Sequence, residues 1–261
     1  MSKQNAKVSG ILELISKGDC KQAIKRCNTY IAATDSFKFY ALKALALQKM
    51  KHSREAKELI YQIRSEVVED LEDIEIVVIV FKNLKDYQEV ANIYEEAYQK
   101  YPNEERGQLL LNSYIATFQL GNQARLGIRL HRHYSRMHYA ETAAFCMVVL
   151  SDLEKSQTGL LDVADLLFQK FKQMEDFEPS QTFLNLDLAI LERLHKYQEA
   201  MALIRKHETI IPDYVSRSSS IAKFYRLRGE YISCLNNYHS ILALNLNEQT
   251  SRDMWHIYTD Y

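Results

Sequence analysis

The 261 residues are enough for one or two globular domains, and 47% of them are hydrophobic, which suffices for a continuous core. Seven Gly and three Pro fall well below the roughly 18 and 13 that average usage gives for this length, which argues against a turn-rich sheet protein and for helices joined by short polar turns. A formal net charge of −1 gives the chain no overall field to steer it toward DNA or an anionic membrane.

Taken in chain order, the helical patterns come in pairs. Residues 8–17 pair with 20–33 around Gly18-Asp19, 37–50 with 53–65, and 71–84 with 87–101. Residues 104–120 pair with 123–137 across Gly121-Asn122, and 140–153 with 159–174 across a longer linker at 154–158. Residues 181–194 pair with 197–209, and 214–227 with 230–244. A small or medium residue follows each tight turn: Ala23, Ala56, Val90, Leu126, Ala200 and Cys234, at intervals of 33, 34, 36, 74 and 34. The 74 conceals one further repeat. In the sharpest copy, Lys85-Asp86-Tyr87 opens a helix that carries Tyr94 and Ala97 and stops at Pro102; the same frame returns at Lys196-Tyr197 and at Gly229-Glu230-Tyr231. This is the helix–turn–helix frame of about 34 residues found in tetratricopeptide repeats (TPR).

The spacing predicts an all-α, TPR-like helical-repeat superhelix (an α-solenoid) of about seven helix pairs, one array over residues 1–261. Its units are about 8–33, 37–65, 71–101, 104–137, 140–174, 181–209 and 214–244. A trailing helix at 248–261, with Trp255, Ile257, Tyr258 and Tyr261, either caps the array or leads into a further repeat. All three prolines, Pro102, Pro179 and Pro212, fall between pairs, where a helix must stop. Asn103, Ser180 and Asp213 directly follow them and are suited to accept the unpaired N–H groups of the next helix.

Catalytic chemistry is absent from the pattern. There is no Gly-rich phosphate cradle, no His-Glu-x-x-His and no Gly-x-Ser-x-Gly, so no catalytic residue, cofactor site or metal site is expected, and the chain is not expected to be an enzyme. Cys20, Cys27, Cys146 and Cys234 are scattered without a Cys-x-x-Cys pair and read as buried, reduced thiols. His131 and His133 point to different faces of one helix and, with His138, read as surface histidines rather than ligands. The first seven residues lack the apolar core of a secretory signal. The apolar run 76–81 is far below the ~18 residues that span a bilayer. A cytoplasmic protein with no membrane partner is expected.

Two surfaces are candidates for binding. Arg125, Arg129, Arg132 and Arg136 step by 4, 3 and 4, within about 60° of one helix face, and no Asp or Glu occurs between Arg106 and Ala140. Such a stripe could pair with phosphates of ribosomal RNA or an inositol phosphate, or with an acidic surface; the plain alternative is a solvated face neutralised by acids of neighbouring units. The concave wall of a TPR superhelix is lined by first-helix positions 15 and 11 residues before the post-turn residue. In the first three units these are Val8 and Leu12, Ala41 and Leu45, and Glu75 and Ile79. Most are apolar and suit a protein segment laid in the groove; they cannot supply the Lys and Asn bonds with which chaperone-type TPR domains hold a C-terminal carboxylate.

A more specific resemblance rests on four stretches: Leu42-Lys43-Ala44-Leu45-Ala46-Leu47-Gln48; Tyr94-Glu95-Glu96-Ala97 through Pro102-Asn103; Ile190-Leu191-Glu192-Arg193-Leu194-His195-Lys196-Tyr197-Gln198-Glu199-Ala200 with Ile204-Arg205; and Asp253-Met254-Trp255 with Tyr258. In these the chain resembles the N-terminal part of the non-catalytic subunit of the N-terminal acetyltransferase B (NatB) complex. The resemblance implies a TPR scaffold that cradles a small catalytic N-acetyltransferase subunit at the ribosome, where nascent chains starting Met-Asp, Met-Glu, Met-Asn or Met-Gln are acetylated. Acetyl-CoA and catalysis would belong to the partner. A general TPR peptide-binding adaptor, or an auxiliary subunit of a related acetyltransferase complex, are the alternatives.

Overall fold

A computed structural model describes residues 3–34, 36–63, 71–154, 159–174, 177–211 and 213–244. Fourteen α-helices and no strand occur among them: α1 Lys3–Ser16, α2 Cys20–Thr34, α3 Phe37–Lys49, α4 Ser53–Ile63, α5 Leu71–Asn83, α6 Tyr87–Lys100, α7 Glu104–Ala116, α8 Leu120–Tyr134, α9 Met137–Leu153, α10 Gly159–Lys172, α11 Gln181–Arg193, α12 Tyr197–Lys206, α13 Tyr214–Leu227 and α14 Tyr231–Leu244. They form seven consecutive pairs. The expected trailing helix at 248–261 and Pro212 lie outside the described residues.

Six of the seven turns inside the pairs share one geometry, and residues 155–158 of the expected linker of the fifth pair lie outside the described residues. Gly18, Lys51, Lys85, Phe118, His195 and Gly229 have φ of 84°, 67°, 58°, 54°, 58° and 76°, the left-handed conformation that ends a helix in a Schellman motif. The next residue's N–H then reaches back to a carbonyl five residues earlier: Asp19 to Leu14 at 2.9 Å, His52 to Leu47 at 2.9 Å, Asp86 to Phe81 at 3.0 Å, Gln119 to Tyr114 at 3.0 Å, Lys196 to Leu191 at 2.8 Å and Glu230 to Tyr225 at 2.9 Å. These residues keep a steady stride of 33 or 34, broken only where the fifth pair intervenes. At five of the six turns, the residue five positions further on is Ala23, Ala56, Val90, Ala200 or Cys234, all buried.

The fourth pair corrects the sequence reading. The expected turn at Gly121-Asn122 lies inside α8, and the chain reverses three residues earlier, at 117–119. The left-handed position falls to Phe118, which is 86% exposed, and Gln123, buried, replaces Leu126 as the post-turn residue. Phe118 can hold that conformation because the Schellman bonds close around it while its ring stays in solvent.

Helix starts follow the caps. Asn103 Oδ1 accepts from Arg106 N at 2.8 Å, Ser180 Oγ from Phe183 N at 2.9 Å, and Asp213 carboxylate oxygens from Val215 N and Ser216 N at 3.3 and 2.9 Å. Each satisfies a donor that the first helical turn cannot.

Contacts divide the chain into two compact units, Met1–Gln119 and Leu120–Tyr261. In the first, α3 packs on α1, α2, α4 and α5, while α6 packs on α5 and α7. In the second, α9 is covered by α8, α10 and α11, and the series continues α11, α12, α13, α14, each on the next. First helices touch first helices, α1 with α3, α3 with α5 and α9 with α11. A helix pair too small to bury its own apolar stripe is thus covered by its neighbours. Helix α8 lies close against α9, where Ala124, Ala140, Ala143 and Ala144 are buried and a Cβ on Gly127 would stand 2.8 Å from the Tyr139 carbonyl oxygen. Phe168 stacks on Phe183 at 4.1 Å, and Phe171 and Phe177 meet the same ring edge-on, tying α10 to α11.

Candidate partner-binding surfaces

In the first unit the six expected groove positions do not form one lining. Val8 on α1 is half-buried, and Leu12 on α1 and Ile79 on α5 are exposed, at 36% and 42%. Glu75 is exposed on α5 and close enough to α6 that its charge adds to burial in pushing the Tyr94 hydroxyl up to about 12. Ala41 and Leu45 cannot present a surface: they are 0% and 5% exposed. The four helices packed around α3 turn these two positions into core.

In the second unit, Arg125, Arg129 and Arg132 stand exposed on α8. Arg136 is exposed but leaves the stripe. Helix α8 ends at Tyr134, Ser135 turns with φ 51°, and Arg136 occupies the residue before α9. The His131 ring Nδ1, 3.2 Å from the Arg136 carbonyl, closes that corner. Among the described residues, Arg125 bonds within its own helix, to the Gly121 carbonyl and to Asn122 Oδ1, each at 3.3 Å. Arg129 and Arg132 meet no carboxylate among the described residues.

That contrasts with the basic residues further along. Lys172 Nζ lies 2.8 and 2.7 Å from the two oxygens of Asp187, joining α10 to α11. Lys196 meets Asp165 at 2.6 Å, and Arg193 grips Asp152 through two bonds of 2.8 and 2.7 Å, joining α11 to α9. Lys223 meets Glu192 at 2.7 Å, joining α13 to α11. These pairs perturb their members. Burial pushes the Asp187 carboxyl up and the Lys172 ammonium only partly offsets it. The Arg193 guanidinium holds the Asp152 carboxyl below its usual range.

Beside the unpartnered arginines lies a cavity that the sequence pattern did not reveal. Its volume is about 290 Å³, and it is walled by Ile128, His131, Arg132 and Ser135 of α8 and its following turn, and by Val163, Leu166, Leu167 and Lys170 of α10. Each set follows the i, i+3, i+4, i+7 spacing of one helix face. The sets are far apart in sequence, Ser135 and Val163 being their nearest members, and come together because α8 and α10 both pack on α9.

All four cysteines are buried, and burial pushes the Cys27 and Cys146 thiols up to about 12 and about 11, so neither is a thiolate at neutral pH. His131 is half-buried against the Phe171 ring at 5.0 Å, whereas His133 and His138 are exposed. No group of three His, Cys, Asp or Glu is gathered for a metal among the described residues. Nor is any helix among them long and apolar enough to cross a membrane.

Paired helices on a 33–34-residue stride define a TPR helical-repeat protein. Residues 5–245 match the family described as Psidin, N-terminal TPR repeats region, and the chain belongs to that family. It is 24% identical over 259 residues to the rat and human proteins named N-alpha-acetyltransferase 25, NatB auxiliary subunit. That alignment covers 96% of this chain and 26% of each relative, so the chain spans about a quarter of their length. Among solved structures it resembles a chain in "Structure of Naa15/Naa10 bound to HypK-THB", with a TM-score of 0.73 and 12% identity over 98% of this chain and 39% of that one, a likeness of fold.

Proposed function

We propose that this chain is a non-catalytic TPR scaffold of an N-terminal acetyltransferase complex of the NatB type. It holds the catalytic N-acetyltransferase subunit and positions it at the ribosome in the cytoplasm, for co-translational acetylation of chains starting Met-Asp, Met-Glu, Met-Asn or Met-Gln. The observation that carries this reading is the alignment over 96% of the chain with proteins named as NatB auxiliary subunits, joined to a family match over residues 5–245. The physical contribution is shape and positioning: exposed apolar and basic side chains on paired helices bind a protein surface, while acetyl-CoA binding and bond formation lie in the partner. First-helix residues Val8, Leu12, Glu75 and Ile79 belong to the partner-facing surface in this reading.

The test is co-expression with candidate catalytic subunits, followed by assay on peptides differing at their first two residues. A NatB-type scaffold co-purifies with one acetyltransferase and raises its activity on Met-Asp and Met-Glu peptides over those starting with Ser or Ala. Co-purification with no acetyltransferase, or a preference for Ser and Ala peptides, overturns the assignment.

A further inference from the structure

We infer that the groove between α8 and α10 is a docking site for an acidic amphipathic helix of a partner protein. Its floor is aliphatic: Ile128 and Leu167 are half-buried, and Val163 and Leu166 are 46% and 64% exposed. Two flanking helices that both rest on α9 present a trough in which a third helix can place residues at i, i+3, i+4 and i+7.

The charge of the rim selects the occupant. Arg132 and Lys170 line the groove from opposite walls, and Arg125 and Arg129 continue along the same flank of α8, within about 60° of Arg132 at 100° per residue. No carboxylate lines the cavity. Of the acids of α10, Asp165 is bound to Lys196 and Asp162 is not part of the lining. Arg132 is exposed and meets no carboxylate among the described residues. Lys172, Arg193, Lys196 and Lys223 bridge helices of this unit through carboxylates, whereas this rim is cationic without a counter-charge among the described residues. A phosphate-rich strand would satisfy the cations but leave Val163 and Leu166 in water; a helix with aliphatic residues inward and Glu or Asp along its edges satisfies both.

The experiment uses the full chain and two fluorescein-labelled helical peptides of about 16 residues, long enough to present several helical turns. Both carry Leu at i, i+3, i+4 and i+7; one has Glu at the flanking positions and the other Lys. By fluorescence anisotropy, wild-type protein binds the Glu peptide at least about tenfold more tightly than the Lys peptide, with the difference narrowing as salt is raised. Leu166→Glu abolishes binding of the Glu peptide. Arg132→Glu with Lys170→Glu reverses the preference, so that the Lys peptide binds better. All three substitutions are at exposed positions, and an unchanged circular-dichroism melt confirms that each variant folds. Equal binding of the two peptides, no binding of either, or indifference to Leu166→Glu overturns the proposal. So does tighter binding of poly(U) RNA that is lost in the double charge reversal and kept in Leu166→Glu, which would assign the rim to phosphate instead.

Discussion

Two glycines of the same helix should respond in opposite directions to the same substitution. In a helix interior Gly costs about 0.8–1 kcal/mol relative to Ala, so Gly→Ala stabilises wherever there is room. At Gly121 there is room: the nearest atom to an added Cβ is the Arg125 guanidinium at 3.8 Å, and Gly121→Ala should gain a few tenths to about 1 kcal/mol. At Gly127 an added Cβ meets the Tyr139 carbonyl oxygen at 2.8 Å, the Ala143 Cβ at 3.1 Å and the Ala143 N at 3.4 Å. Two of these are backbone atoms of α9 and the third is a side chain with no rotamer, so relief requires α8 and α9 to part by several tenths of an ångström. Overpacking of this kind costs about 1–3 kcal/mol, and a gap of about 0.5–1 Å forfeits a quarter to a half of each dispersion contact along the seam of Ala124, Ala140, Ala143 and Ala144. The propensity gain offsets only part of this. A net loss of about 1–2 kcal/mol is expected, lowering Tm by about 2–8 °C for a chain of this size. Parallel thermal and urea melts of the two variants measure the difference. Equal stability of Gly127→Ala and Gly121→Ala would refute the close approach of α8 and α9.

Three further outcomes are expected. Lys172→Met leaves Asp187, 0% exposed, without its counter-ion and should cost about 3–5 kcal/mol at neutral pH. Asp187 already has a raised folded-state pKa, so its share of stability is present below the unfolded value and lost as pH rises through the folded one. Urea melts of Lys172→Met should therefore show a deficit that shrinks on acidification, and a deficit independent of pH would exclude the buried charge as its cause. Phe118→Gly should raise stability by about 0.5–1 kcal/mol, since it relieves a left-handed non-glycine residue whose exposed ring contributes little packing; a lower Tm counts against this. Asn103→Ala should cost about 1 kcal/mol through loss of the α7 cap, read as faster amide exchange at Arg106 than in the wild type.

The turns were legible because one device repeats. Gly18 and Gly229 suit a left-handed position, and the fixed five-residue offset to Ala23, Ala56, Val90, Ala200 and Cys234 locates Lys51, Lys85 and His195 without a glycine. The fourth turn failed for a local reason. Gly121-Asn122 has the chemistry of a turn, but the chain spends it in the first turn of α8 and leaves the strained position to Phe118. The same shift carried Arg136 out of the helix and off the stripe. Ala41 and Leu45 were placed on a surface by position counting, which assumes that every first helix keeps one open face; α3 is enclosed by four neighbours. The α8–α10 groove could not be read at all, because its two walls are brought together by packing on α9, which the spacing within either wall does not record.

Where a partner is held is then a question of which side chains the fold leaves uncommitted. From α9 to α13 four carboxylate–cation pairs tie helices together: Asp152 with Arg193, Asp165 with Lys196, Asp187 with Lys172, and Glu192 with Lys223. The more exposed of these pairs contribute little stability each, but they cancel charge along the stack. Helix α8 stands at the start of that series with Arg129 and Arg132 outside it, beside aliphatic side chains that no helix among the described residues covers. Charge without a counter-ion and apolar surface without a neighbour are each tolerable alone on a soluble helix. Side by side on two helix faces with matching spacing, they are what the proposed acidic amphipathic helix would satisfy together, and under the proposed scaffold function that is the reason to keep the place open.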